Sequence, residues 1–463
     1  MTDTTPVLSQ DDLTALRANL RGSVLSPGEP DYEHARAVWN GMIDKRPGVI
    51  VQCAGVADVM TAVNFAREAG LPLSVKAGGH NVAGKAVCDA GVMIDMSRMN
   101  QVRIDPSARR GRAGGGALWA DFDHEAQAFG LTCTGGVVSN TGVAGLTLGG
   151  GIGYLTRSYG LACDNLVAAD VVTASGELLH ASETENPELL WALRGGGGNF
   201  GVVTSLEFRL HEVGPQVASA TVFHAIEAAP EVLRFYRDYS ASAPDEVACY
   251  AMIVNAPPDL PETFQGRPVL ALVACYSGAV TDGLRLLEPL GQFGQPIAAN
   301  ITEVPYKLLQ TAFDAGNPKG GRYYWKSQHL TGLPDDMIDA TVRFANDLHG
   351  SLTIIGIEPL GGAQGRVAPD ATAFAHRDVP YSFGIWTGWT DAADDAANIA
   401  WTRAFFEAVQ PFGAGAYVNY LGEDEGDRLD EAYGDNYRRL AEVKRKWDPD
   451  NLFRINHNIA PAG

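Results

Sequence analysis

The chain has 463 residues, which is too long for one ordinary domain and suits two or three. Apolar residues make up 46% of the sequence and aromatic residues 9%, so the chain can bury a sizeable core and is not disordered. The formal net charge of −20 argues against a nucleic-acid partner, because an acidic surface repels phosphate backbones.

The cysteines form no Cys-x-x-Cys pair, so the sequence predicts neither a metal site nor a dithiol redox motif. We interpret them as buried, unpaired thiols of a reducing compartment. Residues 1–12 contain no basic or apolar region of a secretory signal, and no stretch is long and apolar enough to span a bilayer. We therefore expect a cytoplasmic protein without a membrane partner. The sequence does not indicate an oligomeric state.

Helix and strand patterns alternate in the first part of the chain. Ser9 and Asp12 predict a capped helix start. Residues 49–51 are typical of a buried strand, and apolar residues at helical spacing over 56–66 predict a helix that ends near Gly70. Further strands are predicted at 73–75, 92–94, 102–104 and 205–210.

Residues 111–201 are unusually rich in glycine, with runs at 114–116, 135–136, 149–151 and 195–198. Such runs bring bare backbone N–H groups close to a ligand such as a pyrophosphate, or they serve only as tight turns. The string Gly196-x-Gly198-x-x-Gly201 matches the dinucleotide fingerprint, but a helix pattern precedes it and a strand pattern follows. Because that order is reversed, we reject an NAD-type Rossmann unit.

The middle of the chain, about 216–415, follows a linker at 213–215. Strand patterns such as 269–273 and an amphipathic helix pattern over 337–348 predict an α+β unit with its helices on one sheet face. Near the end, apolar residues over 429–443 predict one helix, stopped at Asp448-Pro449, and the terminal residues 451–459 are expected to be tied down.

Six motifs occur in a fixed order: KAGGHNVAG at 76–84, TGVAGLTLGGG at 141–151, YGLACDNL at 159–166, LRGGGGNFG at 193–201, YVNY at 417–420 and DPDNLF at 448–453. The first resembles the flavin-attachment loop of the vanillyl-alcohol-oxidase superfamily. The second resembles the second flavin loop of its berberine-bridge-enzyme-like branch, and the others continue the match. Each glycine run alone is weak evidence for this resemblance, whereas the combination of motifs in this order is specific to the family.

The resemblance implies an α+β fold in which a two-subdomain FAD-binding domain of the vanillyl-alcohol-oxidase (PCMH) type carries an inserted α+β substrate domain. Residues 1–212 and the returning segment 416–463 would form the FAD-binding domain, and 213–415 the substrate-binding domain. The implied cofactor is FAD, and the implied partners are a small-molecule substrate and dioxygen. The residues implied to bind the FAD are Ala77, Gly78, Gly79, His80, Asn81, Gly84, Val138, Thr141, Gly142, Gly145, Leu146, Gly149, Gly150, Gly151, Tyr154, Asp164, Asn165, Gly197, Gly198, Gly201, Val203, Asn456 and Asn458.

His80 occupies the position at which the family attaches the flavin 8α-methyl group, although a histidine after two glycines can also be an ordinary loop residue. Many members add a second bond, to a cysteine on the second loop. Val138 stands at that position here, and Cys133 lies five residues earlier. We therefore predict a single covalent bond, through His80, as in the monocovalent relatives.

Three residues are candidates for the proton transfer that accompanies hydride transfer to flavin N5. Tyr417 and Tyr420 are expected to point to one face of a strand, and Glu358 is a lone carboxylate in an apolar strand. Ordinary alternatives are that the tyrosines are core residues and that Glu358 faces solvent. Weaker candidates for the pocket wall are Lys326, His376 and Arg377.

The sequence thus predicts an FAD-dependent oxidase that takes a hydride from a C–H bond next to a hydroxyl or amine and passes the electrons to dioxygen. One alternative is a flavin dehydrogenase with another acceptor, and Thr141, which precedes the Gly-Val-x-Gly run, does not decide between the two. Others are a non-redox flavin or ligand carrier and a nucleotide-binding protein without flavin. The substrate, whether sugar, alcohol, amine or polyketide, stays open.

Overall fold

The computed structural model describes residues 8–463; residues 1–7, part of the segment in which no secretory signal is predicted, lie outside the described residues. The helices are α1 (Gln10–Ala18), α2 (Tyr32–Arg36), α3 (Val56–Glu68), α4 (Trp119–Gln127), α5 (Val143–Leu148), α6 (Thr156–Tyr159), α7 (Ala162–Asn165), α8 (Pro187–Leu193), α9 (Ala229–Ser242), α10 (Val280–Gln292), α11 (Tyr306–Leu309), α12 (Asp335–Ala345), α13 (Asp395–Val409), α14 (Leu429–Tyr433) and α15 (Tyr437–Trp447).

The strands are β1 (Ser23–Leu25), β2 (Val49–Gln52), β3 (Leu73–Lys76), β4 (Val92–Asp95), β5 (Val102–Asp105), β6 (Arg110–Gly114), β7 (Leu131–Thr132), β8 (Leu166–Val172), β9 (Leu178–Ser182), β10 (Val202–Arg209), β11 (His211–Glu212), β12 (Gln216–Ala225), β13 (Val247–Asn255), β14 (Pro268–Tyr276), β15 (Ala298–Pro305), β16 (Arg322–Leu330), β17 (Ile354–Pro359) and β18 (Tyr381–Trp389). Helices and strands therefore mix throughout, as the α+β class requires.

A four-stranded sheet, in the order β1-β2-β4-β3, opens the fold. Its two pairings that involve β4, with β2 and with β3, are parallel, whereas β1 pairs antiparallel with β2. Helix α3 connects β2 to β3, and its apolar stripe is buried against the sheet. This confirms the predicted strand, helix and strand. The predicted cap of α1 is also present, since the Ser9 side chain accepts a hydrogen bond from the backbone N–H of Asp12 at 3.1 Å.

A second, antiparallel sheet has the order β5-β6-β10-β8-β9. The glycine run 195–198 joins α8 to β10 of this sheet. Helix α8 therefore precedes the string Gly196-x-Gly198-x-x-Gly201 and a strand follows it, which confirms that it is not a Rossmann turn. All six cysteines are buried and unpaired, as expected.

A seven-stranded antiparallel sheet, in the order β15-β12-β14-β13-β17-β18-β16, forms the middle of the chain. Helices α9, α10, α12 and α13 cover one face, to which Ile355 and Ile357 of β17 point. Because side chains alternate along a strand, Ile354 and Glu358 point to the other face, towards the first part of the chain. The apolar run around Glu358 is thus explained by burial of β17 on both faces.

The C-terminal segment returns to the first part, where its apolar residues join a core with residues of β8 and β10. The single helix predicted over 429–443 is wrong: α14 and α15 are separated by a turn at Gly434, whose φ of +48° favours glycine. The prediction that residues 451–459 are tied down is confirmed by Asp448, which accepts hydrogen bonds from the backbone N–H groups of Leu452 and Phe453.

Separate cores underlie these units. One core is built largely from residues of the first part and the C-terminal return, and another from the seven-stranded sheet and its helices. On this basis we propose domain boundaries near residues 212 and 415. None of the helices in the described range combines the length and hydropathy that a membrane crossing requires.

Candidate active site

A large cavity lies where the glycine-rich loops, the helix-free face of the seven-stranded sheet and the C-terminal segment meet. The residues predicted to bind a cofactor that line it are Ala77, Gly78, Gly79, His80, Asn81, Val138, Thr141, Gly142, Gly145, Leu146, Gly197, Gly198, Gly201, Val203 and Asn456. Two predicted catalytic residues, Glu358 and Tyr420, also line it. Segments distant in sequence thus meet around one space.

The first two loops touch each other through glycine. A Cβ on Gly78 would lie 2.4 Å from the backbone nitrogen of Gly142, and a Cβ on Gly142 would lie 2.6 Å from that of Gly78. No other residue type fits at such distances without displacing backbone. The two loops therefore form one continuous wall of bare backbone.

The first loop also has unused hydrogen-bond donors. Among residues 8–463, no acceptor is found for the backbone N–H groups of Gly78, Gly79, His80 and Asn81. Because backbone N–H groups are normally paired, four successive free donors at a cavity suit an anionic ligand group. This loop can therefore hold a pyrophosphate.

His80 lies at this wall with its ring against an aromatic side chain. The ring stacks on Trp39 with centroids 4.4 Å apart, and Nε2 has no hydrogen-bond partner in the described part of the chain. Burial lowers the pKa of His80 to about 4, against the opposing effect of the nearby Asn140. The imidazole is therefore neutral at physiological pH and has a nitrogen available for bonding.

Glu358 and Tyr420 form a hydrogen-bonded pair at the cavity. The Tyr420 hydroxyl donates to Glu358 Oε1 at 3.0 Å, while Oε2 has no partner among the described residues. Burial raises the pKa of Glu358 to about 7, although the hydroxyls of Ser382 and Tyr420 oppose the shift. Burial also raises the pKa of Tyr420 well above its ordinary value. The pair therefore combines a carboxyl that titrates near neutrality with a phenol that stays protonated.

Comparison with known proteins shows the family of the chain. The family model described as an FAD binding domain matches residues 47–182, and the model described as berberine and berberine like matches 416–460. An FAD-linked oxidoreductase of Dictyostelium discoideum is 33% identical, over 96% of this chain and 95% of its own. The chain belongs to the berberine-bridge-enzyme-like family of FAD-linked oxidoreductases.

Two further comparisons agree. The (R)-6-hydroxynicotine oxidase of Paenarthrobacter nicotinovorans is 29% identical, over 96% of this chain and 98% of its own. The crystal structure of 6-hydroxy-D-nicotine oxidase from Arthrobacter nicotinovorans superposes with a TM-score of 0.86 at 29% identity, covering 96% of this chain and 98% of that one. The fold is therefore the FAD-binding PCMH type, and FAD is the cofactor.

The residues around the cavity are themselves suited to bind FAD. The free N–H groups of the first loop suit the pyrophosphate, and the glycine contact between the two loops leaves a wall that a flat or extended ligand can approach. At the C-terminal side, Asn456 donates to the carbonyl of Gly198 at 2.9 Å, and Asn199 donates to that of His457 at 3.1 Å. These amide contacts connect the end of the glycine run at 195–198 to the C-terminal segment.

No cysteine lines this flavin cavity. Val138 does, as the single-bond prediction requires, whereas Cys133 is 0% exposed and packs in the core with Trp119. Burial raises the pKa of the Cys133 thiol well above its ordinary value, so the reactive thiolate form is disfavoured.

Some predicted cofactor residues do not line the cavity; they are Gly84, Gly149, Gly150, Gly151, Tyr154, Asp164, Asn165 and Asn458. The glycines among them are explained by close packing: a Cβ on Gly149 would lie 2.1 Å from Asn419 Oδ1, and one on Gly84 would lie 2.7 Å from the Ile43 side chain. Tyr154 packs edge-on against Tyr250 in an apolar cluster.

Asp164 and Asn165 have structural partners instead of a ligand. Asp164 accepts two hydrogen bonds of 2.8 Å from the guanidinium of Arg377, which joins the first part of the chain to the middle. Asn165 donates to the carbonyls of Tyr159 and Leu161 and is hydrogen-bonded to His211. The YGLACDNL motif therefore holds the flavin domain together behind the site.

Tyr417 does not line the cavity, and its hydroxyl accepts hydrogen bonds from the Gly151 N–H and Asn419 Nδ2. The expected strand at 417–420 is a turn of 3₁₀ helix. Residues three apart stack in such a turn, whereas a strand would place them on opposite faces. The Tyr417 and Tyr420 rings accordingly lie 4.7 Å apart, and only Tyr420 reaches the cavity.

The three weaker candidates for the wall do not line the cavity either. Lys326 pairs with Asp424 at 3.0 Å, Arg377 with Asp164, and His376 is hydrogen-bonded to the carbonyl of Glu431 at 2.6 Å. Sequence reasoning missed many other lining residues, among them Met252, Phe313, Asn317, Trp325, Ile354, Trp386, Asn419 and His457. The alternation of β17 and β18 about Glu358 could have indicated Ile354 and Trp386.

Substituting Gly142 with alanine tests the contact between the two flavin loops. We expect a loss of about 1–3 kcal/mol in unfolding free energy, because the added Cβ would overlap the Gly78 backbone, together with weaker FAD retention. Thermal unfolding and the flavin-to-protein absorbance ratio measure both effects. The matched control is Gly332→Ala, where an added Cβ meets nothing within 4 Å. Equal behaviour of the two variants would contradict the contact.

Substituting Asp164 with asparagine tests the structural role of this buried ion pair. Arg377 is 2% exposed, so removing its counter-charge should cost about 3–5 kcal/mol of unfolding free energy. The control is Glu212→Gln, which breaks the exposed pair with Arg109 and should cost less than about 1 kcal/mol. Denaturant unfolding compares the two. A stable Asp164→Asn protein that merely loses flavin would restore the cofactor-contact assignment.

Proposed function

We propose that the protein is an oxidase that removes a hydride from a C–H bond next to a hydroxyl or amine of a small organic substrate. FAD, when bound, would supply a two-electron acceptor for the hydride, and dioxygen would take up the electrons to give hydrogen peroxide. The observation that carries the proposal is Glu358, a buried carboxyl at the cavity with one oxygen unpartnered in the described chain. The relative named for hydroxynicotine supports an oxidase of a small organic molecule.

Glu358 would act as the general base. An alcohol must give up its O–H proton as the hydride leaves the carbon, and a protonated amine must give up one N–H proton before its nitrogen lone pair can assist that step. A carboxyl with a pKa of about 7 suits this proton transfer near neutral pH. Tyr420 is unsuited to be the base, because burial keeps its phenol protonated. Its hydrogen bond to Oε1 fixes the orientation of the carboxyl and leaves Oε2 for the substrate proton.

Tyr417 would act as a positioning residue in this scheme. Asn419 donates from Nδ2 both to the Tyr417 hydroxyl, at 2.9 Å, and to the Leu146 carbonyl, at 3.0 Å. These two bonds fix the amide of a residue that lines the cavity beside the second flavin loop. Tyr417 therefore holds Asn419 and the Gly151 N–H in place without contacting the substrate.

We propose further that His80 carries the flavin through a single 8α bond. The neutral imidazole is a nucleophile, and Gly78 and Gly79 beside it allow the edge of a ring system to approach. Forming the bond would replace one imidazole N–H bond and one methyl C–H bond and release two protons and two electrons. The flavin ring would take up the electrons, and dioxygen would remove them as hydrogen peroxide. The absence of a cysteine from the cavity lining supports one bond instead of two. Such a bond withdraws electron density from the ring and raises its oxidising power.

Oxygen consumption tests the oxidase proposal against a dehydrogenase. Holoenzyme is mixed with a panel of alcohols and amines in air, and oxygen uptake and peroxide are recorded together. The proposal predicts that both follow the oxidation of the substrate in equal amounts. Flavin that a substrate reduces but that stays reduced in air would instead indicate a dehydrogenase with another acceptor. Flavin that no substrate reduces would indicate a carrier.

A further inference from the structure

We propose that the substrate is an amine with an apolar frame, bound as a cation against Glu358. This inference rests on the proposed function and narrows its substrate class. It excludes sugars, anionic compounds and neutral alcohols as the preferred ligands. Three observations support it: the missing counter-ion of Glu358, the aromatic wall beside this residue, and the charges of the cavity.

The first observation is that Glu358 differs from the other buried carboxylates. Six acidic residues of the described chain are at most 3% exposed: Asp58, Asp95, Asp123, Glu358, Glu425 and Asp448. Both oxygens of each of the other five accept hydrogen bonds or contact a cation. Only Glu358 among them has an oxygen that makes no hydrogen bond in the described chain, where the nearby Ser382 hydroxyl is also unpaired. Only Glu358 among them lines the cavity.

Burying a carboxylate without a counter-ion costs free energy. We therefore infer that a cation binds beside Glu358. No arginine, lysine or histidine of residues 8–463 lies within 4.0 Å of Glu358. A protonated amine supplies both the positive charge and the N–H donors that Oε2 lacks. A hydroxyl supplies a donor only.

The second observation is the aromatic wall next to Glu358, formed by Trp325, Trp386 and Tyr420. Their ring centroids lie 5.4 Å apart for Trp386 and Tyr420, 5.8 Å for Trp325 and Tyr420, and 6.3 Å for the two tryptophans. Aromatic faces attract organic cations and also bury apolar surface. The wall therefore suits an ammonium group that is carried on an apolar frame.

The third observation is the charge of the side chains around the cavity. The lysine and histidines in the lining, which are Lys85, His80 and His457, belong to the flavin loops and the C-terminal segment. On the seven-stranded sheet, the lining side chains are Met252, Trp325, Ile354, Glu358 and Trp386. An anionic substrate would meet no cation on this sheet, and a sugar would leave most of its hydroxyls unpaired.

Equilibrium binding to the holoenzyme tests the inference. The probes are benzyltrimethylammonium and its neutral carbon isostere, neopentylbenzene, which have the same shape and differ in charge. Perturbation of the flavin absorbance and titration calorimetry report each dissociation constant. We expect the cation to bind at least tenfold more tightly than the isostere. Equal affinity, tighter binding of the isostere, or no binding of either probe would overturn the inference.

Variants test whether the Glu358 carboxylate causes the preference for the cation over its neutral isostere. Glu358→Gln, which preserves shape, should abolish the preference and leave the affinity for neopentylbenzene unchanged. Tyr420→Phe retains the charge and should retain the preference. The control Glu303→Gln removes the same charge from the exposed edge strand β15 and should change neither affinity. A preference that survives in Glu358→Gln, or that is lost in Tyr420→Phe, would overturn the inference.

Flavin reduction separates this inference from the proposed function. If alcohols reduce the flavin anaerobically and amines do not, the oxidase proposal stands and the amine inference fails. If the cation preference holds and no substrate reduces the flavin, the oxidase proposal fails while the recognition of a cation by Glu358 stands.

Discussion

Substituting Glu358 with glutamine should lower kcat for substrate oxidation by about 10²–10⁴-fold, because a general base contributes about that much. Glutamine fills the same volume and can accept the Tyr420 hydrogen bond, but it cannot take up a proton. Steady-state and rapid-mixing kinetics of flavin reduction measure the effect. The control Glu303→Gln should leave kcat within a factor of two or so of wild type, since surface changes away from the site have small effects. A Glu358→Gln enzyme with normal kcat would remove Glu358 from the mechanism.

The same variant should lose a pH dependence that wild type shows. The base is active as the carboxylate, so kcat/KM of wild type should rise with pH and level off above the Glu358 pKa of about 7. Glu358→Gln should lack this step. A pH profile of wild type that is flat between pH 5 and 9, in the range where a group with this pKa would titrate, would contradict the assignment.

Unfolding measurements provide a readout that is independent of turnover. The folded pKa of Glu358 is raised above its unfolded value of about 4.3, so the folded state binds the proton more tightly. Wild type therefore loses stability as pH rises from about 4 to about 7, by about 3 kcal/mol from this residue. Glu358→Gln should lack this loss. Its unfolding free energy relative to that of wild type should therefore be higher at pH 8 than at pH 4. This result is expected of a carboxyl retained for function at a cost in stability.

The second large effect is expected from His80→Ala, which should release all of the FAD when the protein is denatured with acid. Wild type should keep its yellow colour on the protein pellet, because an 8α bond survives unfolding. Absorbance of the supernatant and the mass of the intact protein measure the outcome. Free flavin from the wild-type protein would contradict the covalent bond.

His457 is the matched control for His80. It also lines the cavity, its Nε2 has no partner in the described chain, and burial lowers its pKa to about 4. Our proposal predicts that His457→Ala keeps the flavin attached after acid denaturation. Loss of the attachment in this variant, together with its retention in His80→Ala, would move the bond to the C-terminal segment.

Local rules predicted three of the four strands of the first sheet, and in the middle unit strands β14 and β17 and helix α12. The periodicity of 56–66 determined α3, and the Ser9 and Asp12 pair determined the start of α1. Glu358 could be identified because a carboxylate in an apolar strand violates the burial pattern of its neighbours. These signals lie within a few residues of each other in the chain, so the sequence alone reveals them.

Other features depend on contacts between distant segments. Trp39 stacks on both His80 and Tyr323, and nothing near residue 39 indicates either partner. Asp164 was predicted to contact flavin because its motif resembles the family's, yet its partner is Arg377, 213 residues away. Tyr417 and Tyr420 share one side because a 3₁₀ turn replaces the expected strand. Sequence patterns place residues on elements, whereas tertiary packing decides which of them reach the cavity.

The most direct test of an amine-oxidising flavoenzyme is an anaerobic titration of the holoenzyme with a secondary amine that carries an apolar frame, such as N-methylbenzylamine. We expect the flavin absorbance to bleach in wild type at a rate that rises with pH through about 7, and to bleach at least a hundredfold more slowly in Glu358→Gln. Admitting air should restore the absorbance with formation of peroxide. Bleaching at the same rate in wild type and Glu358→Gln, or no bleaching by this amine or any other, would contradict this expectation.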